Sequence, residues 1–171
     1  MMRSVGKGWQ ADGMEGTFAV LDGGMGRELL RVGAPFRQPE WSALALIEGP
    51  EWVVQAHPNV VDAGADLITT NSYAVVPFHI GSERFDAEGA LLAGLSGRLA
   101  RQAAGDADRC TVAYSSDTPA NAGLATFYDD LDPDAHGESV EYWVASGVSI
   151  VGGCCGMEPD HIAHLARVAH R

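Results

Sequence analysis

The sequence predicts an α/β fold built on parallel strands, and two features of its patterning support this. Short apolar runs of strand length alternate with longer segments of helical periodicity. Each apolar run is followed by polar or glycine-rich residues, which is typical of parallel α/β folds with functional residues at the carboxyl ends of the strands. Since 46% of the 171 residues are hydrophobic, we expect one globular domain over 17–171, preceded by a flexible tail at 1–16.

The apolar runs and the periodic segments follow one another in a regular order. Predicted strands are 18–21, 65–70, 110–115 and 148–151. Predicted helices are 52–63, 87–104, 133–146 and 159–170. The helix at 87–104 is the best defined, because its leucines recur at spacings of three and four residues. Pro58 and Gly137 fall inside two of the other helices, where neither residue type is favourable.

The charge of the chain excludes one class of partner. Asp and Glu outnumber Lys and Arg by 23 to 11, which gives a formal net charge of -12. Phosphate backbones and anionic membranes repel such a chain, so we expect no nucleic acid and no membrane as partner. No apolar window is long enough to span a bilayer, and residues 1–16 are too polar for a signal peptide, so the predicted location is cytoplasmic.

Two adjacent cysteines flanked by glycines form the clearest candidate site. Cys154 and Cys155 follow the last predicted strand, within the run Gly-Gly-Cys-Cys-Gly at 152–156. Zinc prefers thiolate ligands, and a catalytic zinc site uses three protein ligands and keeps one position open. Both thiols can reach one ion only if the backbone turns where the strand ends. The flanking glycines make such a turn sterically cheap. Two buried thiols in a tight turn, or a strained vicinal disulfide, are the alternatives to a metal site.

The third cysteine, Cys110, stands at the start of its predicted strand. Cys154 and Cys155 instead follow the end of a strand. Parallel strands would therefore place Cys110 at the opposite face of the molecule. We expect Cys110 to be a half-buried thiol and not the third metal ligand.

Three blocks of the sequence, in this order, carry a resemblance to a known family. They are Leu-Asp-Gly-Gly-Met-Gly-Arg-Glu-Leu at 21–29, Ala-Gly-Ala-Asp-Leu-Ile-Thr-Thr-Asn-Ser-Tyr at 63–73, and 152–156 with Pro159 and His161 following. The chain resembles the zinc-dependent homocysteine S-methyltransferases. The resemblance implies a (β/α)₈ barrel, zinc bound by three cysteines, and methyl transfer to the thiol of homocysteine, giving methionine. The implied donor is a small sulfonium or ammonium compound such as S-methylmethionine, S-adenosylmethionine or betaine.

The resemblance also implies roles for particular residues. Cys154 and Cys155 match the paired zinc ligands. The matched substrate-binding residues are Asp22, Gly23, Gly24, Asn71 and Tyr73. Coordination to zinc would deprotonate the thiol of homocysteine and present a thiolate to the methyl donor. Asp22 would hold the amino group of homocysteine, and its alternative role is a helix N-cap or turn residue.

Aromatic and histidine side chains near these blocks have two interpretations each. Tyr73 and Phe78 offer ring faces to a cationic methyl donor, although core packing is the simpler role for Phe78. His161 and His164 lie three residues apart on the last predicted helix and could chelate a metal. For this pair, a solvated surface is the better interpretation.

The chain is too short for eight complete β/α units, since a (β/α)₈ barrel takes about 250 residues. We expect a partial barrel whose parallel strands correspond to family strands 1, 2, 7 and 8, with the internal join at 105–110. The third zinc cysteine of the family and a substrate-binding glutamate then fall in the absent part. A catalytically inactive zinc- or homocysteine-binding half-barrel, or an assembly partner, is the alternative to an active enzyme.

A half-barrel leaves two strand edges and an apolar inner face open to water. Pairing of edges removes this liability, so we expect a homo-oligomer. The expected contact joins the second strand of one copy to the strand at 110–115 of the next. The third zinc ligand would then come from the partner chain, from a side chain such as Asn71, or from water.

Overall fold

The computed structural model describes residues 18–105, 111–113, 132–145, 147–154 and 156–170. The strands in this part of the chain are β1 (Ala19–Val20), β2 (Leu67–Thr69), β3 (Thr111–Ala113) and β4 (Ile150–Val151). Its helices are α1 (Met25–Arg31), α2 (Ala43–Glu48), α3 (Pro50–Asp62), α4 (Pro77–Ile80), α5 (Ser82–Ala104), α6 (Pro133–Ala145) and α7 (Pro159–Ala169).

The strands pair in parallel. β1 pairs with β4, and β2 pairs with β3. An isolated bridge from Leu21 to Leu67, and a hydrogen bond of 2.8 Å from Asp66 N to Val20 O, connect β1 to β2. The spatial order of the described strands is therefore β4-β1-β2-β3. This confirms the predicted mixed α/β class, although helix outweighs strand.

The position of β3 corrects one prediction. The sequence analysis placed the strand at 110–115 in the position of family strand 7, beside the last strand. In the structure β3 instead lies beside β2. The reason is local, because α4 and α5 connect β2 directly to β3, and successive strands of this kind tend to be neighbours in space. β3 thus takes the place of a third strand, and β2 is not an edge.

The helices agree better with the sequence pattern. The four predicted helices are confirmed as α3, α5, α6 and α7, with shifted ends, whereas α1, α2 and α4 carry no clear pattern. α3 continues through Pro58. Gly137 in α6 has a packing role, because a Cβ there would overlap the ring of His164 on α7. The missing side chain allows α6 and α7 to approach each other.

Two apolar clusters form the core. One lies between the strands and α3, α5, α6 and α7, and its fully buried members include Val20, Ile68, Val140, Ile162 and Leu165. The other joins α1, α2, α3 and α5, and includes Leu29, Leu46, Val53, Leu92 and Leu99. Leu91 departs from the predicted apolar stripe of α5, since 72% of its surface is exposed.

The region around β4 carries an exposed apolar surface, which we call the β4 patch. Its members are Tyr142, Trp143, Val148 and Ile150. Among the described strands β4 pairs only with β1, so its other side is an edge. In the described part of the chain, none of the helices is both long and apolar enough to cross a bilayer.

His57, in the middle of α3, is fully buried, and neither of its ring nitrogens has a hydrogen-bond partner among the described residues. Burial disfavours the imidazolium and lowers the pKa of His57 from 6.5 to about 4. The unfolded chain therefore takes up this proton first as the pH falls. Protonation of His57 favours the unfolded state.

We predict that His57 makes the protein less stable as the pH falls from 6.5 to 4. The full shift corresponds to about 3 kcal/mol. Denaturant unfolding of wild type and His57→Leu between pH 8 and pH 4 measures this contribution. The difference in unfolding free energy should move in favour of the variant as the pH falls below 6.5, with pH 8 as the internal reference. A difference that does not change with pH would contradict this role.

Candidate functional site

Two loops meet at the carboxyl ends of the neighbouring strands β1 and β4. We call residues 22–24 the Asp22 loop and residues 152–157 the cysteine loop. Gly153 N donates to Asp22 O over 3.2 Å, and Gly24 N donates to Met157 O over 3.2 Å. The pairing of β1 with β4 therefore continues past the strands and holds the two loops together.

This contact is possible because two positions on it have no side chain, and a third glycine leaves room for the side chain of Met157. A Cβ on Gly152 would lie 2.5 Å from Leu21 O, and a Cβ on Gly23 would lie 2.5 Å from Met157 O. A Cβ on Gly153 would overlap the side chain of Met157. Real Cβ atoms do not approach other atoms so closely, so an alanine at Gly23 or Gly152 would push the two segments apart, whereas an alanine at Gly153 would displace the Met157 side chain within the cysteine loop.

Two of the three glycines of the cysteine loop thus act differently from the prediction. The sequence analysis assigned them to the turn itself. Among the described residues of the loop, only Gly156 has a positive φ, at 81°. Gly152 and Gly153 serve close approach and not an unusual backbone conformation.

Asp22 is almost fully buried, with 2% of its surface exposed, and its carboxylate lies against the end of β2. Thr69 N donates to Asp22 Oδ2 over 2.7 Å, and the Thr69 hydroxyl lies 3.1 Å from the same oxygen. Burial raises the pKa of the Asp22 carboxyl from 3.8 to about 7, and the hydrogen bonds from Thr69 offset only part of this effect. A cation beside Asp22 would favour its ionised form.

The structure excludes one of the roles considered for Asp22, that of a helix N-cap. The N-cap of α1 is Gly24, and this cap has no side-chain hydrogen bond. Asp22 is therefore not the N-cap of α1. Its carboxylate instead connects the end of β1 to the end of β2.

The segment after β2 contains the other two predicted substrate-binding residues. Asn71 is 1% exposed, and its Nδ2 donates to Ser42 O over 2.9 Å. Asn71 Oδ1 is buried and accepts no hydrogen bond from the described residues. Tyr73 is on the surface, with 36% of its area exposed. Asn71 thus offers a buried acceptor, and Tyr73 an exposed ring.

The structure describes only one of the cysteines. Cys154 follows β4 and is exposed, while Cys155 and Cys110 lie outside the described residues. Within the described part of the chain, no group of three His, Cys, Asp or Glu side chains is placed to hold a metal ion. An exposed thiol on a loop fixed by backbone hydrogen bonds still fits the first ligand of a zinc-thiolate site.

The histidines of α7 correct another prediction, since they are not solvated surface. His161 is 9% exposed, and its Nδ1 accepts a hydrogen bond from Glu158 N at the start of the helix. His164 Nδ1 lies 3.1 Å from Asp134 Oδ1 on α6. Because α6 covers this face of α7, both rings are used in packing and capping. Phe78 is half-buried, with its ring centroid 4.1 Å from that of His79.

Two further residues near the site were missed by the sequence analysis. Arg27, in the first turn of α1, pairs with Glu158 through an Nε–Oε1 distance of 3.0 Å. Glu158 is also the N-cap of α7, in a reciprocal capping box with His161. A Glu-Pro start with a polar residue three positions later could have indicated this cap. No local pattern could have indicated a pair so distant in sequence.

Comparison with known proteins gives a family match over most of the chain. The family model for homocysteine S-methyltransferase matches residues 19–129 and 116–169. The chain belongs to the homocysteine S-methyltransferase family. The first matched segment continues through 105–110, so the prediction of a join there is wrong, in agreement with β3 lying beside β2.

Individual relatives match shorter stretches. Homocysteine S-methyltransferase 1 of Arabidopsis thaliana is 43% identical over 63 residues, which are 36% of this chain and 19% of the relative. Selenocysteine methyltransferase of Astragalus bisulcatus is 39% identical over 89 residues, which are 52% of this chain and 26% of the relative. The chain thus spans about a quarter or less of these curated relatives.

Solved structures of the homocysteine methyltransferase MmuM from Escherichia coli are similar over most of this chain. The oxidised form superposes with a TM-score of 0.66 at 18% identity, over 87% of this chain and 95% of that chain. The metallated form gives a TM-score of 0.53 at 26% identity, over 89% of this chain and 58% of that chain. The similarity supports the α/β fold.

We predict that Asp22 destabilises the folded protein as the pH rises from 4 to 7. The pKa of the folded carboxyl is about 7, whereas the ordinary pKa of an aspartate, which the unfolded chain has, is 3.8, so the folded state binds more protons in this range. Between pH 4 and pH 8 the free energy of unfolding of Asp22→Asn should rise relative to that of wild type by up to about 4 kcal/mol. A constant difference over this range would show that the Asp22 carboxyl is not perturbed.

Proposed function

We propose that this chain binds zinc and homocysteine and serves methyl transfer to the thiol of homocysteine, giving methionine. The observation that carries the proposal is the hydrogen-bonded contact between the Asp22 loop and the cysteine loop at adjacent strand ends. This contact joins the loop that carries a buried carboxylate to the loop that carries an exposed thiol, in a chain of the homocysteine S-methyltransferase family. Homocysteine has an amino group, which a carboxylate can bind, and a terminal thiol, which a metal held by cysteine can bind.

The proposed metal is zinc, held by Cys154 and Cys155. When bound, zinc lowers the pKa of a coordinated thiol, so that homocysteine reacts as a thiolate. The metallated form of the Escherichia coli enzyme supports metal binding in relatives. A further ligand is needed, and Asn71 Oδ1, water or a residue of a second copy could supply it. Asn71 is suited to this because its Nδ2 is already engaged with Ser42 O.

The amino group of homocysteine is assigned to Asp22. A buried carboxyl with a raised pKa gains most from a cation, because the ammonium replaces the solvation that burial removed. Binding would therefore ionise Asp22 and release a proton at pH below 7. The backbone of Gly23 and Gly24 would line the same end of the substrate.

The methyl donor is proposed to be a small sulfonium or quaternary ammonium compound. The thiolate sulfur attacks the methyl carbon, and the donor leaves as a neutral thioether or tertiary amine. Tyr73 offers an exposed ring to such a cation. Since one relative is named selenocysteine methyltransferase, a selenol is a second possible acceptor at the same site.

We also propose that two copies associate through the edges of the partial barrel. The edges among the described strands are β3 and β4, so β3 of one copy would pair with β4 of the other. This replaces the predicted contact through the second strand, whose outer side is occupied by β3. The β4 patch would then be covered by the partner chain.

The zinc assignment predicts that reduced, purified protein contains zinc and that Cys154→Ser/Cys155→Ser does not. These residues supply the paired soft ligands of the chain. Elemental analysis of dialysed protein measures the metal, and Cys110→Ser is the matched control that should keep it. Equal zinc in wild type and the double variant would refute the site. If zinc is retained but calorimetry detects no homocysteine binding, the protein is a zinc-binding partial barrel without this activity.

The association predicts a dimer of the 18.0 kDa chain at micromolar concentration. Ile150→Lys, in β4, should weaken it at least tenfold, because it places a charge in the proposed interface. Leu91→Lys is the control, since Leu91 is 72% exposed on α5, outside the β4 patch. Native mass spectrometry and sedimentation measure both variants. A folded monomeric wild type, or equal effects of the two substitutions, would contradict the interface.

A further inference from the structure

Met157, the last residue of the cysteine loop, contacts both loops of the candidate site. Its carbonyl oxygen accepts the hydrogen bond from Gly24 N and faces Gly23. Its own N–H donates to Cys154 O over 3.3 Å. One residue therefore links the Asp22 loop to the backbone of the exposed cysteine.

The side chain of Met157 lies directly over Gly153. A Cβ built on Gly153 would overlap Cγ of Met157 and would lie 3.0 Å from its Sδ. Gly153 is the residue before Cys154, and its N–H donates to Asp22 O. The methionine side chain thus packs on the peptide that carries both the loop contact and the first thiol.

Met157 is itself held by the start of α7. The next residue, Glu158, is the N-cap of that helix and pairs with Arg27 of α1. Helix starts with a reciprocal capping box are well-fixed points of the backbone. Met157 therefore has a rigid support on one side and the cysteine loop on the other.

We propose that Met157 is a positioning residue that fixes Cys154 relative to the Asp22 loop. This inference rests on the proposed zinc and homocysteine site. The role belongs to the volume of the side chain over Gly153, and the sulfur atom takes no part in it. A side chain of similar size at position 157 should keep Cys154 in place, whereas a small side chain should not.

The first test compares zinc affinity in Met157→Ala and Met157→Leu by competition with a chromophoric chelator. Groups that orient metal ligands typically contribute 10- to 100-fold to affinity, so we expect Met157→Ala to weaken zinc binding by about tenfold or more. Met157→Leu should stay within about twofold of wild type, because it restores most of the volume. An equal loss in both variants would show that the sulfur itself is required and would overturn the positioning role.

A second test uses the glycines as matched partners. Gly153→Ala collides with the Met157 side chain, whereas Gly23→Ala collides with the Met157 backbone. Truncation to Met157→Ala should therefore relieve part of the zinc-binding defect of Gly153→Ala, because only the Cβ of residue 157 remains near the new Cβ, whereas its effect should add to that of Gly23→Ala. Additive effects in both double variants would contradict a contact through the side chain.

A third measurement separates this inference from the proposed function. Amide hydrogen exchange of Gly24 and Gly153 in metal-free protein reports the two loop hydrogen bonds directly. We expect exchange at both amides to be at least tenfold faster in Met157→Ala than in wild type. Exchange of the amides in the core of α5 should not change and serves as the internal control. If wild type binds no zinc, the proposed function fails, but faster exchange still supports Met157 as the clamp. Unchanged exchange together with unchanged zinc affinity would overturn the inference alone.

Discussion

The candidate site depends on one constraint, the direct backbone contact between the Asp22 loop and the cysteine loop. Glycine at positions 23 and 152 allows an approach of the backbones that any Cβ would prevent, and glycine at 153 leaves room for the side chain of Met157. The contact extends the β1–β4 pairing, so the sheet itself determines where the loops lie. The same loops carry the buried carboxylate and the exposed thiol proposed to bind substrate and zinc. Packing and proposed chemistry thus impose the same requirement on these glycines.

Two buried ionisable groups affect stability in opposite directions. Burial lowers the pKa of His57 to about 4 and raises that of Asp22 to about 7. Acidification therefore destabilises the protein through His57 and stabilises it through Asp22, and the two effects partly cancel between pH 4 and 6.5. His57 lies within α3, away from the loops in sequence, and no role in the site offsets the destabilisation that its burial causes at low pH. The destabilisation that Asp22 causes at neutral pH has a proposed role, because the ammonium group of a bound substrate would stabilise the buried carboxylate.

Sequence patterns predicted what depends on local periodicity and on short motifs. The leucine spacing identified α5, and the Asp-Gly-Gly and Gly-Gly-Cys-Cys-Gly runs identified the two loops that the structure brings together. The patterns could not place β3, because strand order depends on which helix connects the strands and not on the strand residues. They also missed the burial of His161 and the packing of the Met157 side chain on Gly153, which arise from contacts in the folded chain. Residues that meet only in the folded chain leave no local signal.

The central claim is that the two loops form one site in which zinc holds the thiol of homocysteine. X-ray absorption at the zinc edge, on protein with and without homocysteine, tests it most directly. The account predicts one additional sulfur neighbour of zinc when homocysteine is added, and none when methionine is added in its place. An unchanged sulfur count at saturating homocysteine, in protein that holds zinc through Cys154 and Cys155, would contradict the account.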